Sequence, residues 1–73
     1  MKMNWYVFEP EDGFSEQQGI FGTYAAAKRH AQNCCDTNNS PVRLSKGFYE
    51  IRGYSNRPWF IATKEGARIQ GFL

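Results

Sequence analysis

The amino-acid sequence predicts an α+β fold, in which a single antiparallel β-sheet of about five strands carries one helix packed on one face. Two observations lead to this fold class. Apolar residues recur with a helical period in only one stretch, Tyr24–Cys35, while the segments on both sides alternate or are rich in aromatic and β-branched residues. The predicted order is therefore β-β-α-β-β-β. The chain of 73 residues is expected to form a single domain, 1–73.

The first two strands are predicted on either side of a turn. Residues 4–9 are rich in aromatic and β-branched residues, and Pro10-Glu11-Asp12-Gly13 has a turn-forming composition. The return strand is predicted over 14–21. It ends before Thr23, whose hydroxyl can cap the helix that follows.

The helix is predicted to be amphipathic. Its apolar face spans about 100° of a helical wheel and carries Tyr24, Ala27, Ala31, Cys34 and Cys35. Its other face carries Lys28, Arg29, Gln32 and Asn33. We expect Tyr24, Ala27 and Ala31 to be buried against the sheet and the polar face to meet water or a partner.

The remainder of the chain is predicted to be sheet. Residues 42–53 alternate apolar and polar residues, and Lys46-Gly47 within them indicates either a bulge in one long strand, which we prefer, or a tight turn between two. A turn over 54–58 precedes the strongest strand candidate, 59–63.

The last residues allow two interpretations. The preferred one is a hairpin loop over 64–66 followed by a return strand over 68–72. The alternative is a short helix over 64–70 capped by Thr63, against which Gly66 in the first turn argues. In the preferred fold one helix cannot cover five strands, so part of the opposite sheet face is expected to be exposed.

The sequence predicts no enzyme, metal site or cofactor. His30 and Cys34 have the spacing of two metal ligands on a helix, but a tetrahedral site needs two more. Glu9, Glu11 and Asp12 are expected to be solvated turn residues. So short a chain leaves little room for a deep pocket beside its core, so a small-molecule substrate is not expected.

Charge and aromatic content favour a binding function. The net charge is +2, divided into about −3 over 1–18 and +5 over 19–73. In the basic part, lysines and arginines are interleaved with aromatic residues, as in surfaces that bind nucleic acid or protein. No apolar run has the length of a membrane span or signal peptide, and two adjacent cysteines fit a reducing compartment. We therefore expect a cytoplasmic protein that does not bind membranes.

Several short motifs lie in the order seen in a known family. They are Ser15-Glu16 with Gly19, Ala27-Lys28-Arg29 with Ala31 and a cysteine just beyond, and a closing segment with Trp59, Ala62 and Lys64-Glu65-Gly66. In these residues the chain resembles small type I-F anti-CRISPR proteins of phages and mobile elements, which have one helix on a five-stranded antiparallel sheet. It departs from them in its longer connection 36–46 and in its closing residues 69–73.

The resemblance implies an inhibitor that binds backbone subunits of the RNA-guided, Cascade-like type I surveillance complex and blocks its binding to target DNA in the host bacterial cytoplasm. Lys28 and Arg29 match the basic pair of the family's helix and are candidate partner-binding residues. The remaining candidates are Gln32, Trp59, Lys64, Glu65 and Glu16.

Two other functions remain open. Residues 5–12 and 19–23 with Ala27 and Ala31 are similar to the strand-turn-strand-helix of integrase arm-type domains, which bind DNA through their sheet. A prophage regulator of another host protein is the third possibility.

Overall fold

The computed structural model describes residues 3–53 and 57–73, with the exception of the Glu16 side chain. Its strands are β1 (Trp5–Phe8), β2 (Gly19–Phe21), β3 (Val42–Ser45), β4 (Phe48–Arg52) and β5 (Pro58–Ala62). Its helices are α1 (Tyr24–Cys35), α2 (Lys64–Ile69) and a 3₁₀ turn, Phe14–Glu16. The predicted class, a five-stranded antiparallel sheet with a helix on one face, is confirmed. The strands after α1 differ from those predicted, and the chain ends in a second helix, α2.

All strand pairs are antiparallel, and the spatial order is β2-β1-β5-β4-β3. The central strand β5 places Ile61 opposite Val7 on one side and opposite Tyr49 on the other. Because successive side chains of a strand point to opposite faces, Val7 and Ile61 face one side of the sheet and Phe8 and Phe60 face the other. Both sides are buried at the centre.

Helix α1 packs on the face that carries Val7 and Ile61, with the bounds that the sequence predicts. Ala27 and Ala31 are fully buried, which lets the helix backbone approach the sheet closely. Tyr24 is only partly buried, at the rim of this cluster, and Cys34 is exposed while Cys35 is buried. The expectation of full burial is therefore right for the alanines and wrong for Tyr24.

Two local features bound α1. The Thr23 hydroxyl accepts a hydrogen bond of 3.2 Å from the backbone N–H of Ala26, so the predicted cap is confirmed. At the other end Asp36 has a left-handed conformation with φ 51°, and its N–H donates to the carbonyl groups of Gln32 and Asn33.

The preferred interpretation of the C-terminal segment is wrong, and the alternative is correct. Residues 64–69 form α2, and the Thr63 hydroxyl accepts a 3.0 Å hydrogen bond from Gly66 N–H. A hairpin partner for β5 would need a free edge of that strand, but β1 and β4 occupy both edges. The chain therefore leaves the sheet and folds back over one face of it.

The expectation that part of the opposite sheet face is exposed is wrong for its centre. Phe14 from the 3₁₀ turn, Ala67 from α2 and the following Phe72 pack on this face, against Phe8 and Phe48. The Phe8 ring lies 5.5 Å from that of Phe14 and 5.2 Å from that of Phe72. One long helix and several short segments thus cover the two faces of the sheet.

Two strand predictions also need correction. The second strand covers only Gly19–Phe21, because the start of the predicted 14–21 strand forms the 3₁₀ turn. Residues 42–53 contain two strands joined by a tight turn at Lys46-Gly47, where Gly47 has φ 71°, so the preferred single bulged strand is wrong. The predicted turn over 54–58 falls largely on residues 54–56, which lie outside the described residues.

Candidate binding surfaces

The sequence-predicted site residues lie on two sides of the molecule. Lys28, Arg29 and Gln32 belong to α1, whereas Lys64 and Glu65 form the first turn of α2, on the opposite side of the sheet. A single flat partner surface therefore cannot contact both groups. The side chain of Glu16, the remaining acidic candidate, lies outside the described residues.

The outer surface of α1 presents its basic pair to solvent. Arg29 is exposed and Lys28 is half-buried. The only ion pair between described residues joins Arg52 and Glu50, at 3.4 Å, so neither Lys28 nor Arg29 is neutralised by a described carboxylate. Both charges can therefore meet acidic groups or phosphates of a partner.

Gln32 is engaged within the protein. Its Nε2 donates a 3.1 Å hydrogen bond to the carbonyl oxygen of Asn39, and the Asn39 side chain donates a 3.0 Å bond to the carbonyl oxygen of Arg52. These bonds tie the helix to the connection 36–41 and to the end of β4. Gln32 thus has a structural contact that a partner would have to replace.

Three aromatic rings form a half-buried cluster beside the first turn of α1. The Tyr24 ring lies 5.2 Å from that of Trp5 and 4.7 Å from that of Tyr49. Arg43 pairs with Tyr49 across the sheet and so shares its face, and Lys28 is one helical turn from Tyr24. Burial raises the pKa of the Tyr24 hydroxyl, and Tyr49 adds to the effect.

Sequence reasoning left Trp5 and Tyr24 out of the candidate surface. The two residues are far apart along the chain, and only the pairing of β1 with the helix-bearing centre of the sheet brings them together. In the sequence they stand out only as aromatic residues at the start of β1 and at the start of α1, a pattern that is also common in small cores. The cluster has a basic residue next to two of its members, Lys28 one helical turn from Tyr24 and Arg43 opposite Tyr49 in the sheet.

Trp59 is partly buried and packs against the hydrophobic core. It lies opposite Ile51 in the sheet register and packs, partly buried, at the edge of the cluster beneath α1. A partner can reach only the part of its ring that remains exposed.

Lys64 and Glu65 border a shallow cleft on the other side of the molecule. Met3, Asn4 and Tyr6 form its second wall. Lys64 and Glu65 are both exposed, and Met3 is 58 % exposed. The arrangement allows a contact of mixed charge with an apolar edge.

His30 and Cys34 lie close together on α1. The Cys34 sulfur lies 3.5 Å from His30 Nε2, and the described residues contain no group of three or more histidine, cysteine, aspartate or glutamate side chains that could hold a metal. Desolvation, with a contribution from Glu9, raises the pKa of the Cys34 thiol. Burial raises the pKa of Cys35 to about 11. Both effects favour the protonated thiol, which is the weaker nucleophile.

Among the described residues, no helix is both long and apolar enough to span a membrane. Comparison of the chain with known protein families, curated proteins and solved structures finds no match in any of the three. The fold and its surfaces therefore define the class, a five-stranded antiparallel α+β domain, and the function is inferred from the surfaces themselves.

Proposed function

We propose that the protein acts by binding through the outer surface of α1, and that its partner is the RNA-guided type I surveillance complex, whose binding to target DNA it blocks. The observation that carries the proposal is the basic pair Lys28 and Arg29, which no described carboxylate neutralises. The resemblance to type I-F anti-CRISPR proteins supplies the partner, the backbone subunits, and the place of action, the host bacterial cytoplasm. A five-stranded antiparallel sheet with one long helix on a face is compatible with that resemblance, to which α2 is an addition.

Charge limits how such an inhibitor works. A protein with net charge +2 is not a whole-molecule mimic of DNA, which would need a large negative charge. Binding must therefore rest on local complementarity, with Lys28 and Arg29 meeting carboxylates or carbonyl groups of the complex. The neighbouring cluster of Trp5, Tyr24 and Tyr49 offers apolar area for burial at the same interface.

Binding rather than catalysis is also supported by the thiols. Cys34 and Cys35 have raised pKa values, and His30 is the only described imidazole beside them. A nucleophilic cysteine requires a stabilised thiolate and an oriented base, and these surroundings favour the thiol.

Binding to duplex DNA is a second candidate, favoured by the same aromatic cluster. Lys28 lies one helical turn from Tyr24, and Arg43 pairs with Tyr49 in the sheet, so bases for phosphate contacts accompany rings that can stack or pack on sugars. An arm-type DNA-binding domain would bind free duplex with an affinity that falls steeply as salt rises. An inhibitor of the surveillance complex would bind the complex and not free duplex.

The test compares the wild type with Lys28→Glu/Arg29→Glu in two assays. One is capture of a purified type I surveillance complex, and the other is competition with its target DNA. We expect the double reversal to weaken binding by more than about tenfold, about 1.4 kcal/mol, with an unchanged melting temperature. The matched control is Lys64→Glu/Arg68→Glu, which changes the net charge equally on the exposed side of α2.

The outcomes separate the candidates. Unchanged affinity of the folded Lys28→Glu/Arg29→Glu protein would remove α1 from the interface, and a loss confined to the α2 variant would move the contact to the opposite side. No binding to any surveillance complex, with salt-dependent binding to free duplex, would support the DNA-binding domain. Binding to neither would leave a regulator of another host protein.

A further inference from the structure

Within the described residues, strand β3 is an open edge of the sheet. It lies at the end of the strand order, and β4 is the one described strand that pairs with it. Val42, Arg43 and Leu44 are all exposed, Val42 by 62 % and Leu44 by 49 %. An edge strand presents backbone N–H and C=O groups on its outer side that another strand can pair with.

The edge combines features that protect against aggregation with exposed apolar side chains. Protected edges carry charges, proline or bulges, and β3 has Arg43, a preceding Pro41, and a register shift between Arg43 and Ser45. It nevertheless exposes two aliphatic side chains among its four residues. The C-terminal end of α2 lies near the end of β3, because the Gln70 side chain donates a 2.8 Å hydrogen bond to the Ser45 hydroxyl.

The charges of the edge are positive. Among described residues, neither Arg43 nor Lys46 forms an ion pair. The carboxylate on the neighbouring strand, Glu50, contacts Arg52 at 3.4 Å. β3 therefore offers cations and aliphatic side chains, and no acidic residue of its own.

We propose that β3 binds an extended segment of a partner protein, which adds to the sheet as a sixth strand and alternates aliphatic with acidic side chains. Main-chain hydrogen bonds to β3 provide affinity, and contacts with Val42 and Leu44 bury apolar area. Acidic side chains of the segment pair with Arg43 and Lys46. This edge adjoins the aromatic cluster beside α1 through Arg43, which pairs with Tyr49, but strand addition does not depend on the function proposed for α1.

A second copy of the chain is a poorer occupant. Antiparallel pairing of two β3 strands would bring the Arg43 and Lys46 side chains of both copies together with no acidic residue on either strand. Like charges on paired strands are destabilising. The contact would also be confined to strands of four residues, far short of the area of a stable dimer.

The experiment first selects peptides that bind the protein and then maps where on the protein they bind. The immobilised 73-residue chain selects from a phage-displayed library of random peptides about twelve residues long, and the enriched peptides are synthesised and titrated into ¹⁵N-labelled protein. We expect enriched peptides that alternate aliphatic residues with Asp or Glu. On binding, amide resonances of Val42–Ser45 should shift and amide exchange there should slow.

Variants test the assignment to β3. Arg43→Glu and Leu44→Lys change exposed side chains, and each should weaken peptide binding by at least about tenfold without lowering the melting temperature. Arg43→Gln, which removes the charge and keeps a long side chain, guards against a folding defect in Arg43→Glu. Lys28→Glu/Arg29→Glu is the control and should leave peptide binding unchanged.

Four results would overturn the proposal. They are no enriched peptide, enriched peptides without acidic residues, resonance shifts that map outside β3, and a concentration-dependent dimer that Leu44→Lys dissociates. Because the α1 variant is tested here with peptides and elsewhere with the surveillance complex, failure at one surface is distinguishable from failure at the other.

Discussion

Gly66 in the first turn of α2 lies directly against the carbonyl group of Gly47 in the β3–β4 turn, so that a Cβ atom at position 66 would overlap that carbonyl. Thr63 connects the same two segments. Its N–H donates a 3.0 Å hydrogen bond to the Gly47 oxygen, and its hydroxyl accepts one of 3.0 Å from Gly66. The short helix is therefore docked on the turn through a glycine that its own propensity disfavours.

Gly66→Ala should destabilise the protein even though alanine is the better helix former. The gain in helix propensity is about 1 kcal/mol. Separating α2 from the turn breaks the Thr63 contacts and opens the aromatic core beneath, so we expect a net loss of about 2 kcal/mol or more in unfolding free energy. Urea denaturation measures the difference. Lys64→Ala, an exposed change in the same turn, should be nearly neutral, and a more stable Gly66→Ala protein would refute the close contact.

Ala27→Glu should cost several kcal/mol and can unfold the domain, because it buries a carboxylate where α1 meets the sheet. Ala27 is fully buried. The matched control is Ala26→Glu, one position earlier, where the side chain is exposed and negative charge near the helix N-terminus is favourable. Thermal unfolding followed by circular dichroism should separate the two. Equal melting temperatures would show that α1 does not pack through Ala27.

The two helix caps should differ in strength. Both threonine hydroxyls accept a hydrogen bond from the third residue after them, but Thr63 is buried whereas Thr23 is exposed. Thr63→Ala leaves Gly66 N–H unpaired in the interior, and we expect a loss of about 2 kcal/mol, against about 1 kcal/mol for Thr23→Ala. Thr63→Ser keeps the hydroxyl and should recover most of the loss. The reverse order in chemical denaturation would contradict this assignment.

Cys35 should make the protein less stable at alkaline pH. Burial raises its thiol pKa from 9.0 to about 11 in the folded protein, so the unfolded chain releases this proton at lower pH than the folded one. Stability from the thiol is complete below pH 9 and is lost as pH rises toward 11. Cys35→Ala should show a weaker fall in unfolding free energy over that interval. An identical pH dependence in the two proteins would exclude the effect.

Reaction with a thiol reagent should distinguish the two adjacent cysteines by their accessibility. Exposed Cys34 should react with a disulfide reagent in the native protein, and buried Cys35 should react only after unfolding. Cys34→Ser should then abolish the native reaction and leave the binding function unchanged.

The two candidate surfaces illustrate how far sequence reasoning reaches. Lys28 and Arg29 could be placed on the outer surface of a helix because a helical period assigns each residue to a face. Their separation from Lys64 and Glu65 could not be predicted, since it depends on which side of the sheet the chain crosses after β5. The cluster of Trp5, Tyr24 and Tyr49 could not be predicted for the same reason, because its residues come from three different elements that only the tertiary structure brings together.

Helix α1 was determined by the sequence alone. Its cap and apolar period depend on residues within about one turn of each other, so Thr23 and the alanines specify them locally. The left-handed conformation of Asp36 is known only from the structure. The conformation of the last ten residues, 64–73, was decided by the tertiary structure. β5 has both edges paired, so no return strand could form, and only the close approach of Gly66 to Gly47 makes a helix with glycine in its first turn the stable alternative. Strand pairing and backbone contact between distant residues are not encoded in local period or propensity.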